Sequence, residues 1–130
     1  MFIISSILIL SFNFIFCLDE RYHTYEEVHQ QLIDWDVEFG NTPNAIAQYP
    51  GSGIVYDLIE IGYSNNLNLP FWAVKLSYNA DINEDEPKVL ILGQCHAEEI
   101  LGVEIAMEII DWFLHPLEHV QIFNTVLKPI

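Results

Sequence analysis

A short apolar run, a glycine and a second, longer apolar run constrain the fold of this chain most. Residues 88–92 read KVLIL, Gly93 follows, and residues 100–114 read ILGVEIAMEIIDWFL. The first run is short and nearly unbroken, which is typical of a strand buried on both faces of a sheet. We therefore predict a strand over residues 88–93, placed centrally in its sheet.

The second run has the spacing of an amphipathic helix that begins near Glu98 and ends before Pro116. Acidic residues fall on one side of this helix and apolar residues on the other, so the apolar side should pack on the sheet. The acidic side consists of Glu104, Glu108 and Asp111, and the predicted packing side consists of Leu101, Ile105, Ile109 and Trp112.

One helix and two further strands are predicted upstream. Thr24 and Glu27 form a capping box, which predicts a helix over residues 24–39 that ends at Gly40. Residues 54–62 and 70–78 are rich in β-formers, and the short polar loop between them is typical of adjacent antiparallel strands. The fold class is therefore α/β with a mixed sheet. The predicted apolar face of the first helix consists of Tyr25, Val28, Leu32, Trp35 and Phe39.

The first seventeen residues carry no charged side chain and precede the charged stretch LDER. This segment is short for a membrane span and is interrupted by polar residues, so we predict a signal peptide over residues 1–17 and a domain over residues 18–130. The protein would then be secreted or periplasmic, without stable membrane association after cleavage. An uncleaved membrane anchor is the alternative.

The charge balance restricts the partners. Asp and Glu number 19 against 4 Lys and Arg, which gives a formal charge of −15, while 52% apolar residues favour folding over disorder. A chain this acidic is a poor partner for nucleic acid or an anionic membrane surface. The acidic loop at residues 79–87 does not have the spacing of an EF-hand, so we interpret it as a surface loop.

Residues 93–99, GQCHAEE, carry the candidate chemistry. The predicted strand, turn and helix would place His96 and Glu99 at the carboxyl edge of the sheet, where open α/β sheets bind ligands. An imidazole nitrogen and a carboxylate oxygen three residues apart can bind one zinc ion, although a histidine near a glutamate is more often a solvated or buried pair. Cys95 invites interpretation as a nucleophile or metal ligand, but a small buried residue at a strand end is the favoured interpretation.

The stretch from Tyr25 to about Leu114 resembles the catalytic domain of carboxypeptidase A-like zinc metallocarboxypeptidases. That family has a helix starting at Tyr, a strand ending in iG.S, a strand ending in a Lys-aliphatic-Ser triplet, a Pro before the third strand, and a G-x-x-H-x-x-E turn. The corresponding segments here, in order, are YEEVHQQLIDW, LIEIGYS, FWAVKLS, EPKVLILG and GQCHAEE.

The resemblance implies a three-layer α/β/α fold with a mixed central sheet, and a Zn²⁺-dependent enzyme that hydrolyses C-terminal amino acids from peptides or proteins. His96 and Glu99 then look like two of the three zinc ligands. Glu98 stands where digestive members commonly carry Arg, so contacts to the substrate upstream of the scissile bond would differ.

The resemblance leaves parts of the family's site without a counterpart. We find no match for the third zinc ligand, the arginine that binds the substrate carboxylate or the general-base glutamate, and we interpret His115 and His119 as exposed surface residues. We therefore expect the N-terminal part of a longer catalytic domain, inactive as a peptidase on its own. The alternatives are a zinc-dependent aspartoacylase or amino-acyl deacylase, and a secreted binding module that has lost catalysis.

Overall fold

The computed structural model describes residues 21–118 except residues 50, 52 and 97. Within them, helix α1 spans Tyr25–Trp35 and continues as a π-helical turn over Asp36–Gly40. Strand β1 spans Tyr56–Tyr63, strand β2 spans Pro70–Leu76, and helix α2 spans Ile100–Leu114. The predicted signal peptide and His119 lie outside the described residues. None of the helices in the described part is long and apolar enough to span a membrane.

Helix α1 begins where its capping box predicts. The Thr24 hydroxyl accepts a hydrogen bond from the Glu27 amide, and the Glu27 carboxylate accepts one from the Thr24 amide at 2.8 Å, so two amides at the helix start are satisfied. Leu32, Trp35 and Phe39 are buried. The predicted helix and its apolar face are therefore confirmed, with a π-helical last turn that the sequence pattern did not indicate.

Strands β1 and β2 form the antiparallel hairpin predicted for them. Tyr56 pairs with Leu76 and Tyr63 pairs with Pro70, with a register shift between Glu60 and Gly62. Gly62 has a φ of +153°, a conformation that residues with a Cβ rarely adopt, so glycine is required at this bulge.

The core lies where the hairpin meets both helices. Tyr56 is completely buried, and its hydroxyl donates a hydrogen bond to the Leu32 carbonyl at 2.9 Å, which ties β1 to α1. The buried cluster consists of Leu32, Trp35, Phe39, Ile46, Val55, Tyr56, Met107 and Leu114. Helix α2 thus reaches the core through Met107 and Leu114, in its C-terminal two thirds.

The third predicted strand is not formed. Residues 88–93 have no strand pairing, and Val89 and Leu90 are 89% and 83% exposed. A strand requires hydrogen bonds to the backbone of a neighbouring strand. Strands β1 and β2 pair with each other rather than with residues 88–93. The prediction of a buried central strand at residues 88–93 is therefore wrong for the described part of the chain.

The predicted packing face of α2 also needs correction. Leu101 and Ile105 are more than half exposed, whereas Met107 and Leu114 are buried and Val103 and Ile110 pack against the core. The helix is apolar on more than one side, so the sequence pattern alone could not select the buried one. The side that faces the core carries Val103, Met107, Ile110 and Leu114.

The described residues thus form a small α/β structure of two helices and a two-stranded antiparallel sheet. This agrees with the predicted α/β class. The finer prediction, a three-layer α/β/α arrangement with a mixed sheet, remains a prediction.

Candidate metal site

The turn before α2 brings His96 and Glu99 together. The His96 Nδ1 atom lies 3.0 Å from the Glu99 Oε1 atom, and the two side chains are 66% and 49% exposed. The Glu99 amide also donates to the His96 carbonyl at 3.0 Å, which closes the turn. The imidazole and the carboxylate therefore face each other at the surface, immediately before Ile100 begins the helix.

The second oxygen of Glu99 holds the backbone of the turn. Glu99 Oε2 accepts hydrogen bonds from the Cys95 amide and the His96 amide, each at 3.1 Å. Three hydrogen bonds lower the pKa of Glu99, because all of them stabilise the ionised carboxylate. The His96 side chain has the largest effect, followed by the His96 amide and the Cys95 amide. Glu99 is therefore a carboxylate at neutral pH, the form that binds a cation.

The chemistry of this pair fits zinc as an incomplete ligand set. Imidazole nitrogen and carboxylate oxygen bind zinc at about 2.0–2.2 Å, so two such donors on one ion must lie within about 4 Å of each other. The 3.0 Å separation of His96 Nδ1 and Glu99 Oε1 meets this condition. The described residues contain no group of three His, Cys, Asp or Glu side chains that could hold a metal ion.

Two other histidines form carboxylate pairs away from the turn. His115 Nδ1 lies 2.8 Å from Asp111 Oδ1 at the C-terminal end of α2, and its ring meets Phe39 edge-on. His115 is thus partly buried rather than the exposed surface residue that we predicted, because Phe39 covers its ring. His23 Nδ1 lies 2.7 Å from Glu104 Oε2, a contact across 81 residues that no local pattern indicated.

Cys95 is exposed and has a free thiol. The favoured interpretation, a buried residue at a strand end, is therefore wrong, because residues 88–93 form no strand that would carry Cys95 into the core. Glu98 is exposed and precedes the first helical residue.

Gly93 and Gly102 support the turn, and the sequence analysis did not single out Gly102. A Cβ atom added to Gly102 would lie 1.9 Å from the Gly93 carbonyl oxygen, so the first turn of α2 touches the start of the 93–99 turn through backbone atoms. A glycine inside an otherwise apolar helical pattern is a sequence signal for such a close approach.

A cavity of about 240 Å³ lies elsewhere, beside the C-terminal end of α2. Helix α2 has 15 residues and rises about 1.5 Å per residue, so this cavity is roughly 20 Å along the helix from His96 and Glu99, the candidate metal pair. Its lining includes Tyr49, Glu86 and Leu114 but no residue of the 93–99 turn.

Comparison with known proteins identifies the family. The sequence profile described as zinc carboxypeptidase matches residues 47–128, which is more than half of the chain and includes the turn with His96 and Glu99. The match begins after α1, so it covers four of the five resembling segments. No curated protein and no solved structure matches the chain significantly. The family match is sufficient to conclude that the chain belongs to the zinc carboxypeptidase family.

Proposed function

We propose that this protein is a zinc-dependent carboxypeptidase that hydrolyses C-terminal amino acids from peptides or proteins, with His96 and Glu99 as two of its zinc ligands. The observation that carries the proposal is the 3.0 Å approach of His96 Nδ1 to Glu99 Oε1, inside the G-x-x-H-x-x-E turn of the family match. A third ligand would come from outside the described residues.

His96 and the two carboxylate oxygens of Glu99 have separate roles in this proposal. His96 Nδ1 and Glu99 Oε1 would hold the ion, while Glu99 Oε2 keeps the Cys95 and His96 amides in place. A zinc ion bound there would supply Lewis-acid chemistry at the scissile carbonyl. Because the turn fixes the carboxylate that faces the imidazole, the pair is oriented before a metal arrives.

The substrate and the location belong to the same proposal. A substrate peptide would present its C-terminal carboxylate, and the acidic Glu98 beside the metal pair would favour neutral or basic residues upstream of the scissile bond. The apolar segment at residues 1–17 supports export of the protein. The family match favours this function over the aspartoacylase-like alternative.

Zinc binding to variants of the chain tests the ligand assignment. Equilibrium dialysis should show one zinc ion per chain, and His96→Ala and Glu99→Gln should each weaken its affinity on the order of tenfold or more. His115→Ala is the matched control because His115 and Asp111 form a similar imidazole and carboxylate pair outside the turn. Equal losses in all three variants would contradict the assignment.

The reaction is tested on protein purified from its native source. That protein should release the last residue of a peptide with a free C-terminus, leave the same peptide amidated at its C-terminus intact, and lose activity with a chelator. Hydrolysis of N-acyl amino acids in preference to peptides would instead support the deacylase alternative.

A further inference from the structure

The contact between Gly93 and Gly102 closes the base of the turn that carries the metal pair. A Cβ on Gly102 would lie 1.9 Å from the Gly93 carbonyl oxygen and 3.1 Å from its carbonyl carbon. Both atoms belong to the backbone, so no side-chain rotation can relieve the overlap. Only glycine at position 102 lets the first turn of α2 approach this closely.

Hydrogen bonds within the same segment connect Gly102 to Glu99 and His96. The Gly102 amide donates to the Glu99 carbonyl at 3.0 Å, and the Glu99 amide donates to the His96 carbonyl at 3.0 Å. The Glu99 carboxylate in turn accepts from the Cys95 and His96 amides. A shift of Gly102 relative to Gly93 therefore changes the position of Glu99 relative to His96.

The packing core does not support this turn. The buried residues of α2 are Met107 and Leu114, and the flanking apolar residues Leu92 and Leu101 are 71% and 60% exposed. Since Val103 is the nearest residue that packs against the core, the turn is held mainly by the backbone contact at the glycines and by the hydrogen bonds that Glu99 Oε2 accepts.

We infer that Gly102, seated against Gly93, is a positioning residue for the His96 and Glu99 pair: it sets the separation of the two ligand atoms through the backbone and contacts neither the metal nor the substrate. The inference rests on the proposed function for the metal, but the geometry of the turn is measurable without it. A Cβ at position 102 must move Gly102 away from Gly93 by about 1 Å. At a catalytic site, a displacement of this size can lower the reaction rate on the order of a hundredfold.

Glycine substitutions at the two positions should differ in severity. Gly102→Ala forces two backbone segments apart. A Cβ on Gly93 would instead lie 3.2 Å from the Ala106 Cβ, an overlap of a few tenths of an ångström that a neighbour can relieve. Gly93→Ala should therefore be mild, and Gly93→Ala combined with Ala106→Gly should restore the original turn.

The experiment measures hydrogen exchange of the Cys95 and His96 amides by NMR, and zinc affinity by dialysis, in the whole chain. Gly102→Ala should speed exchange of both amides and weaken zinc binding on the order of tenfold to a hundredfold. Circular dichroism should show an unchanged fold, because alanine is otherwise the better helix former by about 1 kcal/mol. Leu101→Ala is the matched control, since its side chain is exposed and lies outside the glycine contact.

Each outcome supports or overturns the inference. Exchange rates and zinc affinity in Gly102→Ala equal to those of Leu101→Ala overturn it. If Gly102→Ala fails to fold, the variants at positions 93 and 106 decide: a mild rise in amide exchange and a mild loss of zinc affinity in Gly93→Ala that Ala106→Gly reverses support the inference, and no change in Gly93→Ala or no reversal overturns it. If zinc affinity does not depend on His96 and Glu99, the ligand assignment fails, while the amide exchange still tests the positioning role.

Discussion

Tyr56 offers a direct test of how the hairpin is joined to the first helix. Its side chain is completely buried, and its hydroxyl donates to the Leu32 carbonyl at 2.9 Å. Replacing Tyr56 with Phe removes this donor and keeps the ring. The Leu32 carbonyl also accepts from the Asp36 amide, so the acceptor keeps a partner when the hydroxyl is gone.

These contacts set the size of the effect. A buried acceptor left without any partner costs about 1–3 kcal/mol, while an ordinary hydrogen bond contributes about 1 kcal/mol net. Because the Asp36 amide remains, Tyr56→Phe should lower the free energy of unfolding by about 1 kcal/mol. Tyr56→Ala also removes the ring and should cost about 3–5 kcal/mol.

Urea denaturation followed by circular dichroism at neutral pH measures both changes. Tyr78→Phe is the control, since Tyr78 is 40% exposed and should change stability by less than about 0.5 kcal/mol. An equal loss in Tyr56→Phe and Tyr78→Phe would refute the reasoning that the buried hydroxyl joins β1 to α1. A loss in Tyr56→Phe as large as that in Tyr56→Ala would show that the acceptor is left unsatisfied.

Two further predictions concern alkaline pH and the packing face of α2. Burial raises the pKa of Tyr49 to about 12 and also raises the pKa of Tyr56. Both stay protonated in the folded chain while the unfolded chain ionises near pH 10, so stability should be unaffected below that pH and fall above it, by at most about 1.4 kcal/mol per pH unit for each tyrosine. Denaturation curves for the Tyr49→Phe, Tyr56→Phe double variant should lose this slope, and an unchanged slope would contradict the assignment. Met107→Lys should cost several kcal/mol or prevent folding, whereas Leu101→Lys should change stability by less than about 0.5 kcal/mol, because the first side chain is 7% exposed and the second 60%. A larger loss of stability in Leu101→Lys than in Met107→Lys would support the packing face of α2 that was predicted from the sequence.

The sequence predicted those parts of the structure whose signals are local. The capping box at Thr24 and Glu27 and the β-rich runs around Tyr56 and Trp72 each determine an element within a few residues, and each was found. The run at residues 88–93 has an equally clear pattern but formed no strand, since strand formation depends on a pairing partner that no local pattern supplies.

The site was predictable in part for the same reason. His96 and Glu99 are three residues apart in one turn, so their approach to 3.0 Å follows from local geometry. The exposure of Cys95, the cover that Phe39 provides for His115, and the contact of His23 with Glu104 depend on segments distant in sequence. Periodicity in a single helix carries no information about such contacts.

The buried contacts of α2 and its contact with the candidate metal site therefore lie at different ends of the helix. The C-terminal two thirds of the helix hold Met107 and Leu114 in the core, and the N-terminal turn meets the 93–99 segment through Gly102. Stability is not uniform along a structure, and segments with few buried contacts open more easily than the core. The His96 and Glu99 pair lies at such a segment, and both side chains are exposed. A helix anchored at one end by burial and at the other by contact between two glycines leaves His96 and Glu99 at the surface, where the proposed metal ion and peptide substrate could reach them.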